Sequence, residues 1–282
     1  EMSTFWDLSY AGTTVPEKSR FLRLHRAPSD KSHGTVVVLH GGYWKNKFGL
    51  DDAYGNAGTI SLGPFFLARG FSVVEVEYRR RDHEGGGWPG TNEDIITALE
   101  RIAQLPESEL SEPEHRAAVR SLRPDRLILI GHSAGGCLAL WAAHQLATTA
   151  TRMPVVLAAA PVADLVKAYE MKVSDEGDAV ELYMKQTPTT EASLEEYRKA
   201  SPAALLPVPF PLLVAFGDAD ADVPPQLVRD YATAARASTV EIPGADHFDV
   251  VNAKSEAWQK AIIPALAKLL REHFDPAAAE AV

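Results

Sequence analysis

The sequence predicts an α/β fold, a mostly parallel sheet covered by helices on both faces. Three observations lead there. Short β-rich runs alternate with longer stretches at helical spacing. Most of those runs are continuously apolar, as strands buried on both faces are. The length, 282 residues, suits one large α/β domain without an internal repeat.

Strands are expected at 21–26, 35–39, 72–78, 126–130, 155–159, 212–216 and 239–242. Glu75 and Glu77 interrupt the third run, which predicts a more exposed face or end there. Helices are expected at 92–104, opened by the capping-type Thr91, and at 136–147, 225–237 and 255–273. The last carries Ile262, Ile263, Leu266, Leu269 and Leu270 on one face, and Pro264 predicts a kink or a late start. The alanine-rich tail 275–282 is expected to fray. Residues 166–200 are charged, with scattered Tyr169, Met171, Tyr183 and Tyr197, and separate two core strands. They read as a small cap insertion in a single domain spanning 1–282.

Composition excludes some partners. The net charge is −10 and the pI near 5.4, the wrong sign for a phosphate backbone, so no nucleic-acid partner is expected. No stretch approaches the roughly 18 apolar residues that span a bilayer, so no membrane partner is expected. Cys137 is the single cysteine, and with no signal-like start this predicts a reducing, cytoplasmic setting. The chain is expected to act as a monomer or homodimer.

The strongest motif is Gly131-His132-Ser133-Ala134-Gly135, after one predicted strand and before a helix. In that context G-x-S-x-G forms a tight turn that aims the serine hydroxyl out of the sheet. Ser133 is therefore the candidate nucleophile. Serine needs a base held by a third group. His247, in Gly244-Ala245-Asp246-His247-Phe248 after the last strand, is the candidate base. The acid lies among Asp218, Asp220 and Asp222, which share one loop after the strand at 212–216. His40-Gly41-Gly42-Tyr43-Trp44 follows the strand at 35–39, the position of an oxyanion loop. Backbone donors are expected from Gly42, Tyr43 and Ala134. Trp44, Trp88 and Phe248, with Tyr43, could offer aromatic surface to a small-molecule substrate, an aromatic one among the candidates. No metal-ligand spacing such as H-E-x-x-H or CxxC is present, and no metal or other cofactor is expected.

These motifs together resemble α/β hydrolases of the kynurenine formamidase and carboxylesterase-like branch. The resemblance rests on HGGYW, GHSAGG, the G-x-x-D-x-x-V-P segment Gly217–Pro224 and the G-x-x-H ending at His247, and runs from about residue 35 to 247. It implies the α/β-hydrolase fold and places the triad acid on Asp220. It also implies that Pro89 to Asp94 is the P-x-x-x-x-D segment packed near the oxyanion loop. The activity implied is cleavage of an ester or small amide, an N-formyl aryl amide among them, by an acyl-enzyme route. Acyl transfer, lyase or cyclase chemistry is the alternative on the same residues.

Overall fold

The computed structural model describes residues 5–12, 18–25, 31–51, 58–149 and 153–282. Eight strands of these residues form one sheet in the order β1-β2-β4-β3-β5-β6-β7-β8. They are β1 (Phe5–Ser9), β2 (Phe21–His25), β3 (Thr35–Leu39), β4 (Ser72–Glu77), β5 (Leu127–His132), β6 (Val155–Ala159), β7 (Leu212–Gly217) and β8 (Ser238–Ile242). β1 and β2 pair antiparallel, as do β2 and β4. Every pairing from β4 to β8 is parallel. The inner strands are buried along their length because helices cover both faces; Val36, Val37 and Val38 of β3 have no exposed surface.

Strand positions follow the sequence reading closely, with one addition. β1 was not expected; it is short and half-buried at the sheet edge. The predicted strand at 21–26 ends on Arg26, which lies outside the described residues. β5 runs two residues further than expected, to His132.

The helices are α1 (Leu62–Leu67), α2 (Gly90–Gln104), α3 (Pro113–Ser121), α4 (Ala134–Leu146), α5 (Leu165–Glu170), α6 (Ala179–Met184), α7 (Glu191–Ala200), α8 (Pro225–Ala234), α9 (Ile263–His273) and α10 (Pro276–Ala281). α4 is apolar almost all round and lies against β5 and β6, the middle of the sheet. α2 starts at Gly90, two residues early, and Thr91 is not its cap. Thr91 Oγ1 instead accepts from Gly87 N at 2.9 Å and donates to the Arg79 carbonyl, stitching the preceding loop. Pro264 sits in the first turn of α9, after a π-helical turn at Trp258–Ile262. The wider turn lies where the proline ring and its missing N–H disfavour a regular α-helical turn.

The tail does not fray. Asp275 caps α10 by accepting from Ala277 N at 2.7 Å and pairs with Arg126. Ala278 and Ala279 are buried, and α10 packs on α9. Small side chains let the two helices approach closely, a gain that composition alone does not reveal. The charged segment expected at 166–200 holds α5, α6 and α7.

Glu75 and Glu77 correct another expectation: β4 is buried at every position. Glu75 accepts from His25 Nε2 at 2.7 Å. Glu77 lies deeper, at the carboxyl end of the strand.

Candidate active site

Ser133 is the single residue between β5 and α4. Its backbone sits at φ 57°, ψ −118°, a conformation costing a non-glycine residue about 1–3 kcal/mol. Four hydrogen bonds hold it there. Ser133 N donates to Ala159 O at 2.9 Å; its carbonyl accepts from Gly136, Cys137 and Val162 at 3.0, 3.2 and 3.2 Å. At about 0.5–1.5 kcal/mol each, together they offset the strain. Gly135 must be glycine, since a Cβ would run into the carbonyls of Leu39 and His40.

The same crowding brings the HGGYW loop against Ser133. A Cβ on Gly41 would lie 2.9 Å from His132 O and 3.0 Å from Ser133 Cβ. Past it the chain turns sharply: Lys45 N donates to Gly42 O at 2.9 Å, with Tyr43 at φ 51° and Trp44 at φ 56°. Both positive φ values make this a type I′ turn. The Tyr43 hydroxyl then donates to Asp222 O, tying this loop to the loop after β7. Burial, with Asp222, Asp220 and Asp175 nearby, pushes the Tyr43 phenol well above its ordinary value, so it stays a donor.

The loop after β7 distinguishes the three aspartates. Asp218 is exposed and accepts from Gly244 N at 2.6 Å. Asp220 is buried: its Oδ1 accepts from Asp222 N and Val223 N at 2.9 and 2.8 Å, and its Oδ2 accepts from His247 Nδ1 at 2.7 Å. Asp222 is half-buried. Burial raises its carboxyl, and Asp220, Asp175 and Asp246 raise it further against the opposing pull of His247. Asp220, Asp222 and His247 offer donor atoms within 4.8 Å of one another, the arrangement a cation could share. Asp220, however, already accepts three hydrogen bonds. Ser133 and His247 are nearly enclosed, 2% and 3% exposed.

The aromatic residues divide. Phe248 lies beside His247, the ring centroids 5.2 Å apart. Trp88 is half-buried; its Nε1 donates to Glu196 at 2.8 Å and its ring meets Trp141 edge-on. Trp44 has no exposed surface and stacks on Tyr183 at 4.1 Å. Trp44 therefore presents no exposed face, being covered by Tyr183. Tyr183 continues the anchor: its hydroxyl donates to Asn92 and its carbonyl accepts from Trp88 N at 2.8 Å. Ion pairs Lys45–Glu176 and Arg81–Asp178 fasten the stretch between α5 and α6 to the loops after β3 and β4.

Sequence reasoning missed Glu77. Its carboxylate accepts from His40 Nε2 at 3.0 Å, from Leu50 N at 2.7 Å and from Arg80, directly behind the HGGYW loop. Burial alone pushes Glu77 up, but His40, Arg80 and the Leu50 amide outweigh it and hold it below the ordinary carboxylate range. The signal was a charged residue in an otherwise valine-rich run. Glu77→Ala leaves Arg80 buried and unpaired, and is expected to lower stability by about 3–5 kcal/mol in urea unfolding. The sign with pH follows. The lowered group contributes stability above the unfolded carboxylate pKa and loses it as pH falls through the folded value. Wild type and Glu77→Ala should therefore converge on acidification, and a constant gap would contradict this.

The sequence profile of the BD-FAE family matches residues 24–234. No protein of a curated set matches the chain by sequence. Among solved structures, a bifunctional GH43-CE protein of Bacteroides eggerthii superposes with TM-score 0.71 at 18% identity. That match takes 95% of this chain but 38% of the other, so this chain spans well under half of that relative. A truncated carbohydrate esterase from gut microbiota gives TM-score 0.65 at 19% identity, covering 91% of this chain and 92% of that one. Thermogutta terrifontis esterase 2, phosphoramylated by tabun, gives 0.65 at 20% identity over 97% of both chains. The eight-stranded sheet and these likenesses make the architecture the α/β-hydrolase fold. Among the described residues no helix is long and apolar enough to cross a membrane.

Proposed function

The chain belongs to the BD-FAE family, and we propose that it is a serine hydrolase cleaving small acyl esters through Ser133, His247 and Asp220. The observation that carries this is the 2.7 Å contact between His247 Nδ1 and Asp220 Oδ2, with His247 packed on His132, the residue before a serine held on a strained elbow. A carboxylate can only accept, so Nδ1 carries the hydrogen and Nε2 is left with a lone pair for the serine proton.

The chemistry follows. Ser133 Oγ attacks the acyl carbon while His247 Nε2 takes its proton. The carbonyl oxygen gains negative charge, stabilised by amides of Gly42, Tyr43 and Ala134. The intermediate collapses, His247 returns the proton to the leaving oxygen, and the alcohol departs. Water, deprotonated by His247, then releases the acid from the acyl-enzyme. Asp220 keeps His247 in the productive tautomer and offsets the charge it gains. Segment 166–200 is the cap that shapes the acyl and alcohol sites, supported by its ties to Trp44, Lys45, Arg81 and Trp88.

The carbohydrate-esterase relative supports sugar-borne acyl groups as the substrate class. The HGGYW loop, with Tyr43 where many esterases have a third glycine, favours a second reading, cleavage of aryl formamides. A panel of acetylated sugars, p-nitrophenyl acetate and butyrate, and N-formylkynurenine tests both. Ester turnover, with fluorophosphonate labelling mapped to Ser133, is the expected result. Turnover of the formamide alone would favour the second reading; no labelling and no turnover would sink both.

A further inference from the structure

We propose that His132, inside the nucleophile elbow, is a positioning residue that mounts the base His247 on the same strand end as Ser133. The proposal rests on the reading of Ser133, His247 and Asp220 as the reacting group.

His132 is the last residue of β5, paired with Ala159 of β6, and is 1% exposed. Its Nε2 lies 2.8 Å from His247 O. A carbonyl only accepts, so Nε2 carries the hydrogen and donates it. The two imidazole rings lie 4.4 Å apart, tilted by 41°. Phe248 packs against both rings, 5.6 Å from that of His132 and 5.2 Å from that of His247. A Cβ on Gly41 would lie 3.4 Å from His132 Nδ1, so the same ring also abuts the HGGYW loop.

His247 is thus held at two points. Asp220, from the loop after β7, grips the ring at Nδ1. His132 grips the backbone at the carbonyl. The second grip matters because His247 sits in a loop after an exposed edge strand, β8. His132 sits next to Ser133 in the chain, on a strand with partners on both sides. A shift of the elbow therefore carries nucleophile and base together, preserving the distance between Ser133 Oγ and His247 Nε2. Proton transfer is sensitive to that distance, and a displacement near 1 Å costs about a hundredfold in rate.

The test compares His132→Met with His132→Gln in the full chain. The two side chains are of similar length, but only Gln can donate to His247 O. His132→Met is expected to lower kcat on p-nitrophenyl acetate about 10–100-fold with KM within about twofold, and to slow fluorophosphonate labelling in parallel. His132→Gln is expected to recover most of that loss. Equal kcat in wild type and His132→Met, or equal losses in the two variants, would overturn the proposal. A 15N-histidine spectrum of the wild-type protein, with His132 assigned from whichever variant folds, gives a second readout. It should show the ring proton of His132 on Nε2, and a proton on Nδ1 alone would also overturn it. Ser133→Ala with full activity would instead remove the underlying reading, so the two failures are distinct.

Discussion

Ser133→Ala is expected to lower kcat for p-nitrophenyl acetate by about 10⁶-fold, since on the proposed mechanism no acyl-enzyme can form and only the binding and oxyanion contributions remain. The fold should tolerate the change. The Ser133 hydroxyl caps no helix, and the bonds that hold the elbow use its amide and carbonyl. The positive φ suits alanine no worse than serine. The thermal midpoint should therefore stay near wild type while turnover and fluorophosphonate labelling vanish. A variant within tenfold of wild type would show that another residue is the nucleophile.

Asp220→Asn is expected to cost about 10⁴ in kcat with little change in structure. The asparagine oxygen can still accept from Asp222 N and Val223 N, so the loop keeps its shape. Its amide then faces His247 Nδ1 as a donor. Nδ1 must accept, the ring proton moves to Nε2, and the base presents a hydrogen to Ser133 instead of a lone pair. The matched variants Asp218→Asn and Asp222→Asn should stay within about tenfold, since neither carboxylate is bonded to the imidazole. Steady-state rates for the three variants settle the assignment: an Asp222→Asn loss larger than that of Asp220→Asn would move the acid to Asp222.

Much of this was legible in the sequence for local reasons. A strand buried on both faces must be apolar throughout, so β3, β5, β6 and β7 announce themselves. The elbow needs glycine where Leu39 and His40 press on it, so its motif is a steric requirement written into residues 131–135. The order of strand, elbow, acid loop and histidine loop places Ser133 and His247 at one end of the sheet through topology alone.

Other features depend on partners distant in the chain, and only the folded chain decides them. Three aspartates within five residues look alike until one finds His247 across 27 positions. Glu77 looks like a solvent-facing charge until His40, Arg80 and Leu50 N surround it. Trp44 looks like an exposed aromatic surface until Tyr183 covers it. The alanines of α10 bury only because α9 gives them a surface. The sequence by itself determined the α/β class, the elbow and the candidate nucleophile and base, because sterics and periodicity act between near neighbours. The tertiary structure decided which aspartate meets His247, which charges lie buried behind the HGGYW loop and the pairing of His132 with His247. Hydrogen bonds and ion pairs depend on which atoms meet, and for these residues the meeting atoms lie dozens of positions apart.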